Sequence, residues 1–336
     1  MLVSFIIPAY NASKTIIRCL DSVIKLRIDR SEYEVIVIDD CSLDHTAELV
    51  KEIAENQHNL ILLRQIKNHR QGAARNRALS IAKGKYIVFL DSDDEIASGV
   101  LSAIDLAERN SLEMTIMRSE RLSLDGAVEY IYELSYDSNT VFSGVDFQNN
   151  HPFWCTGPVL YVYLKVFLES VNYSFAEDVL YEDSDFVSVH LYNAKRVGYC
   201  DECGYLIYIN PSSTTHTVSY KHVCDYALLG TRMLSFYNRI ENKETTFAES
   251  ILEGGSWNIM QSFKNLFKLS SKSDIRLFYT RFDRFADRSL LLEYKEPEYC
   301  WTRWTRFCLK HRQLATGIIG FVLSTGLLRV LKRERA

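Results

Sequence analysis

No segment of this 336-residue chain reaches the roughly 20 apolar residues that a bilayer-spanning helix needs. Residues 314–328 are uncharged and largely apolar, but they number 15 and Arg329 cuts them off. A secretory leader is missing as well: residues 2–7 run straight into Pro8, with no basic n-region or small-residue cleavage site. The eight cysteines are scattered rather than grouped into a disulfide framework, so they read as reduced thiols of a cytosolic protein. Cys200-Asp-Glu-Cys203 stands alone, and a structural zinc would have to recruit Cys224 and His222. Positive charge is not in excess either. A net charge of −4 argues against a wholly basic surface, and no nucleic-acid partner is expected. Internal repeats and low-complexity tracts are absent.

What remains is an ordinary globular composition, 47% hydrophobic and 24% charged, long enough for one large domain and an appendage. The first hundred residues alternate strand and helix at short intervals. Strands are expected at residues 2–7, 34–38, 60–65 and 86–90, and helices at 13–25, 44–56 and 72–82. Ile16, Ile17, Leu20, Val23 and Ile24 form one stripe of the first helix; Ser13 can cap its start, and Gly84 can close the third helix. This order implies an α/β fold with a doubly wound, mostly parallel sheet. A helix near 98–108 and a strand near 114–118 continue it, followed by an irregular stretch at 126–150. A second αβ passage covers 162–169 and 182–192, then strands near 196–199 and 205–209. Residues 219–293 look helical, with a break at Gly254-Gly255. The expected divisions are 1–216, a helical extension at 217–295, and a basic amphipathic tail at 296–336.

Chemistry-bearing residues gather at the strand ends. Tyr86-Ile-Val-Phe-Leu-Asp91-Ser-Asp93-Asp94 reads as a buried strand that ends in acids at the rim where open α/β sheets bind ligands. Three carboxylates this close repel one another unless a cation sits among them, and hard oxygen donors suit Mg²⁺ or Mn²⁺. A cation held there could carry a diphosphate. A solvated acidic turn is the plain alternative, but three other strand ends carry polar features too. Pro8-Ala-Tyr10-Asn11 turns sharply after the first strand. In Ile38-Asp39-Asp40-Cys41-Ser42, Asp39 can accept hydrogen bonds from a ribose or base while Ser42 or Asp44 caps the next helix. In Gly72-Ala-Ala-Arg75-Asn76, Arg75 can reach an anionic ligand or pair with a nearby carboxylate.

Together these motifs resemble the series of glycosyltransferase family 2, inverting enzymes of the glycosyltransferase A fold, over about residues 2–216. The resemblance implies that Pro8, Tyr10, Asn11 and Asp39 cradle base and ribose, with Arg75 assisting. It implies that Asp91 and Ser92 meet ribose or sugar and that Asp93 binds the metal, with Asp91 and His216 as further candidate ligands. Leu180-Tyr-Glu182-Asp183-Ser-Asp185-Phe186 resembles the family's Glu-Asp motif beside the acceptor. An inverting transfer needs one carboxylate to take the acceptor proton. Asp183 matches that role, with Glu182 and Asp185 as fallbacks. Arg70 departs from the pattern, standing where many members carry Gly.

By the same resemblance the donor is a uridine diphosphate sugar and the acceptor a growing glycan or lipid-linked saccharide, as in surface polysaccharide assembly. From Trp301 onward eight Lys/Arg face Glu334 alone, with Trp301 and Trp304 interleaved. That composition suits an interfacial anchor on anionic lipid at the inner face of the cell membrane, or else a helix packed on the protein. Two rival readings stand beside this one: an Asp-x-Asp phosphatase or phosphotransferase, and a non-catalytic sugar-nucleotide-binding protein of the same fold.

Overall fold

A computed structural model describes residues 1–123, 126–137, 140–151, 157–209, 219–266 and 272–285, with Thr305, Cys308, His311, Ala315 and Ile319 beyond them. The chain divides into two compact units, Met1–Ser212 and Ser213–Ala336.

The first unit is built on a nine-stranded sheet of order β3-β2-β1-β4-β8-β6-β9-β5, with β7 paired to β6. Strands β1 (Val3–Ala9), β2 (Tyr33–Asp39), β3 (Leu60–Arg64) and β4 (Tyr86–Phe89) are mutually parallel. Every residue of β1, β2 and β4 is buried, because helices cover both faces of a parallel sheet. The crossovers are α1 (Ile16–Ile24), α2 (Thr46–Ala54) and α3 (Arg70–Leu79). In α1 the apolar stripe buries Ile16, Leu20 and Val23, while Ile17 is exposed. Ser13 does not cap α1; its backbone N–H donates to Asp44, and Thr15 precedes the helix. Gly84 lies past the end of α3, where a Cβ would meet the backbone nitrogen of Ser4 at 2.4 Å. It permits close strand approach and closes no helix.

The doubly wound class holds, and the second half of the unit makes the sheet mixed. β5 (Glu95–Ile96) and α4 (Gly99–Asn110) lead into β6 (Met114–Leu122). β8 (Tyr161–Leu164) is antiparallel to both β4 and β6, whereas β9 (Val197–Tyr208) runs parallel to β6. The two late strands expected from sequence are one, with the register shifting opposite Met117 and Arg118 as the chain passes Asp201 and Glu202. The stretch expected to be irregular contains β7 (Val128–Tyr132) and α5 (Gly144–Asn150), the latter capped by the Ser143 hydroxyl. Polar, tyrosine-rich sequence had hidden an edge strand whose first four residues face solvent. Helices α6 (Lys165–Val171) and α7 (Asp183–Asn193) complete the unit.

In the second unit α8 (Tyr220–Tyr237), α9 (Thr246–Asn265) and α10 (Lys272–Phe285) pack around Phe263, Phe278 and Phe282. Gly254-Gly255 does not break α9. A Cβ on Gly230 would meet the Gly255 carbonyl at 2.7 Å, so the glycines let α8 and α9 approach closely. Among the described residues no helix is long and apolar enough to cross a membrane. Most of the tail lies outside the described residues.

Candidate functional site

The C-terminal ends of β1, β2 and β4 share one rim, because the strands are parallel and in register from Val3↔Tyr33 and Val3↔Tyr86. Five of the seven non-glycine residues with positive φ among those described lie in the loops of this rim or in the segment before α7: Asn11, Cys41, Arg70, Asp178 and Tyr181. Such backbone is sparsely populated and concentrates where a site needs it. Arg70, at φ 71°, explains the departure seen in the sequence: the position demands a conformation that glycine adopts without cost.

Pro8 lies in β1 opposite Ile38, and Tyr10 follows with 43% of its surface exposed. Asn11 accepts from the Leu43 N–H (2.8 Å), and its own N–H donates to the Ser42 hydroxyl (2.9 Å). Asp39 is fully buried, accepting from the Ser42 N–H at 3.3 Å and pairing with Arg64 at 3.0 Å. A ribose or base would share its carboxylate with these partners. Ser42 does not cap α2. Asp44 accepts from the Thr46 N–H at the start of that helix, and its hydrogen bonds hold its carboxyl down at about 2 against the opposing effect of burial. Asp40 accepts from the backbone N–H groups of His69 (2.8 Å) and Arg70 (2.7 Å), where α3 begins.

After Leu90, whose N–H extends the ladder to Ile6, the chain leaves the sheet as Asp91-Ser92-Asp93-Asp94. Helix α1 holds this turn from behind, with Arg18 donating to the Asp93 carbonyl and its Nε paired with Glu95 at 3.0 Å. Asp91, Ser92 and Asp93 are half-buried. Asp94 points inward instead, accepting from the Tyr205 hydroxyl (2.9 Å) and the Tyr208 N–H (2.8 Å). Burial, then Asp91 and Asp93, push its carboxyl up to about 8. The acids therefore divide: Asp94 anchors the turn to β9, while Asp91 and Asp93 are left at the cleft.

Arg75 is buried to 2% exposure, donating to Asp91 Oδ1 at 2.8 Å and to Glu182 Oε1 at 2.6 Å. Burial opposes its charge, but Asp91, Glu182 and Asp183 outweigh it and raise its pKa. Its guanidinium lies 5.3 Å from the Phe175 ring centroid. Burial also raises the Glu182 pKa; Arg75 opposes this and Asp183 adds to it. Glu182 immediately precedes α7 and Asp183 opens it, so both carboxylates meet the helix N-terminus as the sequence predicts. Asp185 is buried and accepts from the Tyr173 hydroxyl at 2.7 Å, inside the fold rather than at the cleft.

The segment before α7 is clamped by α3. Asn76 donates to the Phe175 carbonyl (3.0 Å) and accepts from the Phe175 N–H (3.1 Å), and His69 meets Asp178 at 2.9 Å. A Cβ on Gly72 would lie 2.1 Å from the Ala176 carbonyl oxygen. The sequence around Gly72 and Asn76 gives neither a role, since their partners lie about a hundred residues away. His216 lies outside the described residues.

Asp91 and Asp93, two residues apart on one turn, carry the hard carboxylate oxygens that Mg²⁺ or Mn²⁺ prefers. Among the described residues no three His, Cys, Asp or Glu side chains form a ready cage. An open site completed by phosphate oxygens and water suits such a donor set better than a structural ion would. Cys200 and Cys203 form no cage either; both are free thiols within β9.

Residues 4–140 match the family model described as glycosyl transferase family 2. A poly(ribitol-phosphate) beta-glucosyltransferase of Bacillus spizizenii is 31% identical over 44% of this chain, a match spanning 24% of that protein. An uncharacterized glycosyltransferase, EpsJ of Bacillus subtilis, is 30% identical over 70% of each chain. Among solved structures, S. aureus TarS 1–349 in complex with UDP-GlcNAc aligns at TM-score 0.63 and 21% identity, covering 97% of this chain and 92% of that one. The fold is of the glycosyltransferase A type.

Proposed function

We infer the reaction from one premise: the chain belongs to glycosyl transferase family 2. It is a glycosyltransferase, and we propose that it inverts the anomeric centre of a uridine diphosphate sugar while passing the sugar to a hydroxyl of a glycan or lipid-linked saccharide. The observation that carries this reading is the convergence of the Asp91–Asp93 turn and the Glu182–Asp183 turn on one buried arginine. In the reaction Asp183 takes the acceptor proton as that oxygen bonds to C1, and the bond from C1 to the diphosphate breaks. Pro8, Tyr10, Asn11 and Asp39 receive the nucleoside, and Asp91 and Ser92 the ribose or sugar. A divalent cation on Asp93, when bound, supplies positive charge to the departing diphosphate.

The uridine nucleotide is supported by the TarS complex, which aligns over nearly the whole chain. A polymeric, hydroxyl-bearing acceptor is supported by the poly(ribitol-phosphate) beta-glucosyltransferase of B. spizizenii. The basic, tryptophan-bearing tail would keep the enzyme at the anionic inner membrane face. Calorimetry of UDP with Mn²⁺ tests the donor half. Asp93→Asn should weaken UDP binding by about 10-fold or more, as should chelation of the wild type. UDP binding that survives both would remove the metal from the proposal.

A further inference from the structure

We propose that Arg75 is a positioning residue that straps the donor turn to the base-bearing helix, rather than a contact for the nucleotide. This rests on the transfer reading and adds to it how the two carboxylate motifs are held in register.

Asp91 and Glu182 stand 91 positions apart in sequence, on segments that share no strand pairing. One guanidinium joins them, a separate Nη on each carboxylate, at 2.8 and 2.6 Å. Its planar fork makes both bonds at once, which a lysine ammonium on a flexible stem does far less well. Arg75 is buried, and both outer nitrogens are engaged with carboxylate oxygens, of Asp91 and of Glu182. Turning it toward a diphosphate would leave Glu182 buried and unpaired, a strongly unfavourable state. The strap therefore stays in place whether or not donor is bound.

The rest of α3 is built for the same purpose. Gly72 brings the helix against the Ala176 carbonyl, and Asn76 takes up both backbone groups of Phe175. These contacts fix the segment that delivers Glu182, and Asp183 is the next residue along the chain. The N-cap residue of α7, Glu182, makes no capping bond with its side chain, and that side chain is held by Arg75 of α3 instead. Arg75 thus sets the position of Asp183 relative to the turn that carries Asp91.

The test uses the full chain with UDP-GlcNAc or UDP-glucose, whichever the wild type turns over. Arg75→Lys, Glu182→Gln and the double variant are compared for turnover at saturating donor and for UDP affinity by calorimetry. The strap predicts that each single variant loses about 30-fold or more in turnover while UDP affinity stays within about 3-fold. It further predicts that the double variant is no worse than the poorer single variant, because both break one linkage. Guanidinium at tens of millimolar should recover part of the activity of Arg75→Gly. Independent, multiplying losses would overturn the proposal, as would a collapse of UDP affinity at unchanged turnover. If Arg75→Lys does not fold, Glu182→Gln decides through its pH profile: lost turnover with the acidic limb of the profile retained supports the strap, and disappearance of that limb would make Glu182 the base and overturn it. A wild type that consumes no donor would sink the transfer reading itself, an outcome separate from active wild type with unaffected variants.

Discussion

The two sides of the cleft are held by different means. On the donor side, the ends of β1 and β2 are fully buried strands, and their loops are tied by short bonds such as Asn11 to Leu43 and Asp40 to the α3 backbone. On the base side, Asp183 begins a helix whose approach, residues 173–182, belongs to no strand or helix and bends through positive φ at Asp178 and Tyr181. That approach is tied to α3, a helix of the donor side, through Asn76, and to α7 itself through Tyr173 and the stacking of Phe175 on Phe186. The donor turn is thus placed by the sheet, and the base in part by the donor half. Damage to the first should spread to the second, whereas damage at Asp183 should stay local.

The largest effect tests that locality. Asp183→Asn should cut turnover by about 10²–10⁴-fold, the usual weight of a general base, with UDP affinity unchanged. Near-normal turnover would place the base elsewhere and end the comparison. A smaller effect comes from the shared contact. Gly72→Ala sets a methyl 2.1 Å from the Ala176 carbonyl oxygen and should cost about 1–3 kcal/mol by overpacking. Turnover should fall more than UDP affinity, because the displaced segment carries the base; equal losses, read by kinetics and calorimetry, would show that the two sides are not separable. The smallest effect lies on the donor side alone. Arg70→Gly relieves a left-handed backbone worth about 1 kcal/mol and should raise the melting temperature by a few degrees with turnover unchanged. A lower melting temperature would mean that the Arg70 side chain itself stabilises the loop.

The donor side was legible in sequence because its signals are local. A buried run ending in acids fixes both the strand and the place of Asp91 and Asp93, and four strands alternating with helices determine a parallel sheet. The base side was legible as a motif, but its support was not, since Asn76 and Phe175 meet only after the chain has folded. Asp94 shows the same limit: its neighbours in sequence suggest a cleft ligand, yet Tyr205 and Tyr208 turn it inward. β7 escaped notice because an edge strand open to water need not alternate polar and apolar residues. The glycines at 254 and 255 were misjudged because a helix break and a close helix contact place the same residue in the sequence.

Far from the cleft, Ser4 on β1 sits opposite Glu34 on β2, and the buried carboxyl accepts from the Ser4 hydroxyl and the Lys83 N–H, each at 2.6 Å. Sliding either strand by one residue would strand that acid among hydrocarbon and turn every side chain to the wrong face. This small polar knot acts as a key that only one alignment fits. It sits at the opposite end of the strands from Asp39 and Asp91, and the alignment it favours is the one that brings both to the same edge.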